Sequence, residues 1–309
     1  MNIFKLILKS LLVIITFSFN SCEESTKKEQ PSKKDTKEDK EQPSKKDTKE
    51  DMGFKFYKFN IPSPIQTAMY IQESGAEFNP ELLNPSENAD QYSTPLLKAI
   101  NLGIYSTDLG YCTIYENPDL SIKSMKTVKQ SAKYLGLENA YSDELIMRFG
   151  ENMNNKDSML VLVSEAFKST DTYLKQNEKD HIAALVLIGG WIEAMYISCE
   201  SALVDNNEKI INRIAEQENA LSSLIEMLEE IEQKPNVEFE EDWEDLKEEF
   251  EELHEIFNDI DYISDNISSE HDKSSKTTTI KSEREIIKTD ELMQAITNKL
   301  IDIRNEYTQ

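Results

Sequence analysis

Three acidic side chains lie where acids are costly. Asp108 in GIYSTDLGYC, Glu165 in LVLVSEAF and Glu193 in GGWIEAMY each sit inside an apolar run that reads as a helix. A carboxylate taken out of water must be paired or hydrogen-bonded, so each is expected to meet a Tyr hydroxyl, a basic side chain or another of the three. Two uses follow. They can form a structural polar network in a core. Alternatively, Asp108 and Glu193 can line a ligand cleft between two helices, with Tyr105, Tyr111, Trp191 and Tyr196 as walls. Clustered carboxylates in an open cleft favour chemistry, whereas sealed and fully bonded ones favour structure.

Other chemistry has little to work with. Eight glycines supply no G-x-S-x-G, no P-loop and no G-x-G-x-x-G, so the common nucleophile-elbow and phosphate-cradling motifs are absent. Glu178-x-x-His181 and Glu251-x-x-His254 have the spacing used by di-iron bundles. The 240–260 stretch is so rich in Glu that such a spacing arises by chance, and His254 falls beside the apolar seam rather than in it. No metal site, cofactor or catalytic residue is assigned. Cys112 and Cys199 read as free, buried, small hydrophobes, with a disulfide as the alternative in an oxidising compartment.

The elements that must position these residues are helical. From Ile182 to Cys199 almost every residue is apolar or small; a helix apolar all round is buried, so Asp180–Ala202 is expected to be the central helix. A membrane span is the rival reading of that length, against which stand Glu193 and the Gly189-Gly190 pair inside it. A second nearly buried helix is expected from Thr94-Pro95 to about Glu116. Gly103 and Gly110, seven apart, predict a close crossing of the two near Gly189-Gly190.

Further helices are expected from Pro62 or Pro64 through about Glu73 and near 121–135, 142–152, 157–176 and 291–306, the last capped by Asp290. A short helix can start at Pro85, and 54–59 is a short strand or lead-in. Apolar residues from Ile210 to Ile231 and from Trp243 to Ile260 alternate in steps of three and four. They predict a long antiparallel helical hairpin over 206–262, joined at Lys234 to Val237. Ser264 to Lys276 reads as loop, and 277–280 with 285–288 as a small β-hairpin. The fold class is all-α: a multi-helix bundle around the buried central helix.

The N-terminus says where the chain goes. Lys5 and Lys9 precede an apolar run from Leu11 to Phe19 and the sequence FNSC, a secretory signal over 1–21. The ending resembles a lipobox, which makes Cys22 the lipidated mature N-terminus and the membrane its partner. EQPSKKDTKED then occurs twice, at 29–39 and 41–51. With no aromatic or aliphatic residue from 23 to 51, this segment cannot offset its ordering entropy and is expected to be a disordered tether. Residues 52–309 form the domain.

Of 34 basic and 59 acidic residues, the first 51 positions hold 11 and 10, leaving 23 and 49 in the domain. That field repels nucleic acid, so no nucleic-acid partner is expected. The acidic helical hairpin is the surface offered to a protein partner.

The stretches NLGIYSTDLGYCTIYE from Asn101, NNKDSMLVLVSEAFKSTDTYL from Asn154 and LIGGWIEAMYI from Leu187 resemble an uncharacterised family of Bacteroidota cell-envelope lipoproteins. The resemblance implies an all-helical, outer-membrane-anchored domain, periplasmic or surface-exposed, and supplies no catalytic residue. The expected role is non-enzymatic binding or scaffolding. The alternative is a helical enzyme or small-molecule carrier that uses Asp108, Glu165 and Glu193.

Overall fold

The computed structural model describes residues 61–177, 179–234, 241–272, 277–287 and 289–309; at 205, 241, 262–272 and 277–287 it describes the backbone alone. The signal segment, Cys22, the duplicated tether and the 54–59 stretch lie outside these residues. Among the described residues the helices are α1 (Pro64–Glu73), α2 (Pro95–Ile114), α3 (Pro118–Tyr134), α4 (Asp143–Glu151), α5 (Lys156–Gln176), α6 (Asp180–Asp205), α7 (Glu208–Ala215), α8 (Glu218–Glu232), α9 (Glu241–Phe257) and α10 (Asp290–Thr308). The domain is predominantly helical, as the apolar periodicity requires.

Helix starts are written locally. Ser63, Thr94, Asn117, Ser142, Asn155 and Thr289 each accept a hydrogen bond from a backbone N–H of the first turn, which satisfies donors that a helix leaves unpaired. Two starts differ from expectation. Asn117 caps α3 with Pro118 at its first position, three residues before the expected Ser121. Thr289, not Asp290, caps α10, and Asp290 is an acid in the first turn, where the helix dipole favours it.

Helix α6 is long and apolar enough to cross a membrane, but 83 % of its apolar window is buried inside the protein. Helices α1, α2, α5, α7 and α10 all pack on it. Its closest partner is α2, buried at every residue from Ala99 to Ile114. The crossing is glycine-dependent. A Cβ on Gly103 would lie 2.6 Å from the Gly190 nitrogen and nearer still to the Val186 carbonyl oxygen; one on Gly189 would lie 2.7 Å from the Ile100 carbonyl carbon. The Thr107 hydroxyl donates across the same contact toward Gly190 O, at 3.1 Å, while also lying 3.1 Å from Gly103 O in its own helix.

Gly110 is a correction. A Cβ built on it would meet Ile65 Cγ1 of α1 at an ordinary 3.5 Å, and no atom of α6 lies among its nearest neighbours, because two helices that cross at an angle stay in backbone contact for about one or two turns only.

The expected first hairpin arm is broken. Gln217 occupies a seam position and is buried, and its amide donates to Arg213 O at 3.1 Å. That side chain competes for a backbone carbonyl of the preceding turn, and the chain restarts as α8. Helix α7 packs on α6, and α8 packs on both α6 and α9; most of the expected joint, residues 235–237, lies outside the described residues.

After α9 the backbone forms two antiparallel strands, β1 (Asp261–Asp272) and β2 (Thr277–Ile287), with Asp261 opposite Ile287 and Asp272 opposite Thr277. Strand β1 therefore takes up most of the expected Ser264–Lys276 loop, and β2 runs unbroken through the expected turn near 281–284. The polar composition of 264–272 hid the strand, since strand preference is set more by cross-strand pairing than by residue type.

Candidate functional site

Two of the three carboxylates meet. Asp108 of α2 is 1 % exposed and Glu193 of α6 is fully buried. Between them and solvent lie α10 and the segment from Asn79 to Tyr92. Arg304 of α10, 8 % exposed, grips Glu193 with two hydrogen bonds: Nε donates to Oε2 at 2.8 Å and an Nη to Oε1 at 3.0 Å. The same guanidinium donates to Leu82 O at 3.2 Å and lies 4.1 Å from the centre of the Tyr196 ring. A planar fork on a carboxylate is the strongest such pairing available, and the aromatic face covers the cation that remains.

Around this pair runs a chain of amides and hydroxyls. The Asn84 N–H donates to Asp108 Oδ2 at 3.0 Å, and the Asn84 amide donates to Tyr92 Oη at 3.0 Å and Asn101 Oδ1 at 3.1 Å. The Asn101 amide reaches Tyr307 O at 2.6 Å, and the Tyr105 hydroxyl donates to Pro85 O at 3.0 Å. The network fastens α10 and the 79–92 segment to the α2–α6 crossing. It is a lock rather than a cleft.

Burial, and then the Glu193 carboxylate beside it, push the Asp108 carboxyl well above the ordinary carboxylate range. Arg304 and the Asn84 N–H oppose that shift without reversing it. Oδ1 has no hydrogen-bond partner, which leaves room there for the proton that the raised pKa favours.

A pH dependence follows. The unfolded chain releases the Asp108 proton near ~3.9 while the folded chain retains it, so this group's contribution to stability falls as pH rises from there toward the folded value. Asp108→Asn removes that loss. Urea midpoints of the two proteins are expected to diverge in favour of the variant as pH rises from about 4. A difference that does not change with pH would mean that Asp108 ionises normally.

The other expected residues fall elsewhere. Glu165 is a correction: it is exposed and pairs with Arg148 on the surface, at 3.0 and 3.1 Å, with side-chain exposures of 44 % and 42 %. The inner stripe of α5 is Met159, Leu162, Val163, Ala166, Thr170 and Leu174, which leaves Val161 63 % exposed and turns Glu165 outward with it. An apolar run is not a buried run when its residues straddle both faces.

Of the expected walls, Tyr105 and Tyr196 border the lock. Tyr111 instead stacks with Phe78 and Tyr115 and accepts from the Asn79 N–H, and Trp191 packs on Phe250 of α9, 5.6 Å between ring centres.

The thiols sit apart: Cys112 lies 3.9 Å from the Ser124 hydroxyl and both cysteines are free and buried. Burial pushes each up to about 12. Thiolate is the reactive form, so the folded domain is expected to resist iodoacetamide at pH 8 and to take up two equivalents on Cys112 and Cys199 after unfolding in urea, as read by mass spectrometry.

His254 is engaged without metal. Its Nε2 lies 2.8 Å from Ser222 Oγ of α8, and Asn258 Nδ2 lies 3.5 Å from its Nδ1. Sequence reading missed this Ser–His–Asn row, which has the outline of a nucleophile and base. The Ser222 hydroxyl is also hydrogen-bonded to Glu218 O of its own helix, at 3.0 Å, the ordinary arrangement of a serine inside a helix. His181, whose burial lowers its pKa, stacks near Trp243. Among the described residues no three His, Cys, Asp or Glu converge on a common point.

An open cleft lies at the α2–α6 crossing, away from the buried carboxylates. It has a volume of about 340 Å³ and is bounded by α1, α2, α5 and α6, and Asp108 and Glu193 take no part in its walls. Sequence reading also missed Arg304, although a signal exists: it stands four after Leu300 and three before Tyr307, on the inner stripe of α10. No family model, curated protein or solved structure matches the chain.

Proposed function

We propose that the chain is a lipid-anchored protein of the cell envelope whose helical domain serves a non-enzymatic binding role, and that the Asp108–Glu193–Arg304 assembly holds that domain together. One observation carries the non-catalytic reading of the carboxylates: Glu193 is fully buried with both oxygens occupied by Arg304. A catalytic acid or base must reach a substrate proton, and this one is spoken for.

The anchor rests on the sequence order of charged residues, apolar run, cysteine and low-complexity tether. The resemblance to Bacteroidota envelope lipoproteins points the same way. We read the domain as a bundle around α6, in which α8 and α9 form a short antiparallel hairpin with a strongly acidic outer face, suited to a protein partner with basic residues.

The test is metabolic labelling of the full chain with an alkynyl palmitate in a Gram-negative host. Label and membrane association are expected in the natural sequence and lost in Cys22→Ser. A soluble, unlabelled product cut elsewhere would overturn the anchored reading.

A further inference from the structure

The 340 Å³ cleft has the makings of a ligand site. Its walls are Ile61, Pro64, Phe167, Leu174, Val186 and Leu187, and its floor is the glycine crossing itself, Gly103 and Gly190. Two helices held at backbone contact by glycine diverge on either side of the contact, and here the wedge is left open rather than filled. Val186 and Leu187 are half-buried at its mouth, although α6 is otherwise sealed along most of its length. Volume and lining match the lower end of small-molecule sites, room for a body of roughly fifteen to twenty non-hydrogen atoms.

The polar groups restrict the ligand further. Tyr141, buried, shares a 3.0 Å hydrogen bond with the Thr170 hydroxyl, and Ser106 and Thr170 both hydrogen-bond the Tyr141 oxygen. These hydroxyls line the cleft and carry no charge. At its rim Asp171 and Lys175 neutralise each other at 2.7 Å, and the surrounding domain is strongly acidic, which disfavours an anionic head.

We propose that this cleft binds a neutral amphiphile, an apolar chain or ring with a single hydroxyl or carbonyl directed at the Ser106–Tyr141–Thr170 hydroxyls. The proposal gives the binding role suggested above its ligand class, and rests on that reading.

The probe is N-phenyl-1-naphthylamine, neutral, apolar and fluorescent when desolvated, titrated into the chain from Glu23 to Gln309. One saturable site per chain is expected. 1-Dodecanol is expected to displace the dye at concentrations at least tenfold lower than dodecanoate or dodecyltrimethylammonium. Leu187→Trp, at the half-exposed mouth where the fold tolerates bulk, and Ala183→Trp, deeper in, are each expected to weaken dye binding at least tenfold. Cooperative thermal unfolding of Leu187→Trp serves as the control for folding.

Absence of saturable binding, binding unchanged in a folded Leu187→Trp, or preference for the charged competitors would each overturn the proposal. So would binding seen only after Phe54, Phe56, Tyr57 and Phe59 are all changed to Ser, since that stretch leads directly into Ile61 and would then be the occupant. Palmitate labelling reads the anchor independently, so failure of the ligand and failure of the envelope reading are separable.

Discussion

Arg304→Leu is expected to destabilise the domain by about 3–5 kcal/mol, the cost of leaving a buried carboxylate without its cation. Glu193 is fully buried, and burial with the same carboxylate raises the pKa of Asp108 beside it. Glu193→Gln is expected to cost less. That substitution leaves burial, the larger cause of the raised Asp108 pKa, but removes the carboxylate beside it and leaves Arg304 unpaired, both of which favour an Asp108 carboxylate that balances Arg304. The double variant Asp108→Asn with Glu193→Gln removes that relief, and should exceed the sum of its single costs.

Glu193→Leu with Arg304→Met replaces the ion pair by apolar volume, and its stability is expected to lie near that of the natural chain. Urea unfolding at pH 7 of these variants distinguishes a lock from a reactive site. Additive single costs would show that Asp108 and Glu193 do not share one charge balance.

The second large effect belongs to the crossing. Gly189→Ala and Gly103→Ala each gain about 1 kcal/mol of helix propensity, and each drives a Cβ into the backbone of the facing helix. Backbone cannot turn aside as a flexible side chain can, so α2 and α6 must separate. The expected net loss is about 4 kcal/mol or more, with partial loss of near-ultraviolet structure. Gly150→Ala is the internal control. Nothing lies within 4 Å of its Cβ position in α4, and a gain of about 0.5–1 kcal/mol is expected. Thermal unfolding of all three is the measurement. Equal behaviour of Gly150 and Gly189 would mean that the helices do not touch there.

Particular elements show how far the sequence could be read. Helix α6 was legible because an apolar run with no polar stripe has only one stable place in a water-soluble domain. The crossing at Gly103 was legible because paired small residues in two buried helices have little other use, although Gly110 was assigned to it wrongly. Arg304 was legible in principle and missed, because a long basic side chain on an inner stripe looks like ordinary surface until its partner is known. Glu165 misled because local hydrophobicity counts residues and ignores which face they occupy.

By itself the sequence determined what is local or periodic: the approximate span of most helices, the buried central helix, the predominantly helical class and the expectation that a carboxylate at 108 or 193 would find a partner. Each follows from interactions within a few residues of one another, or from a pattern that repeats along one element. The tertiary structure alone decided that Glu193, beside Asp108, is paired with a residue 111 positions further along the chain, that this site is sealed, and that the 340 Å³ cleft has neither acid in its walls. Those depend on the angle at which α2 and α6 meet and on where α10 returns, both set by packing between elements remote in sequence.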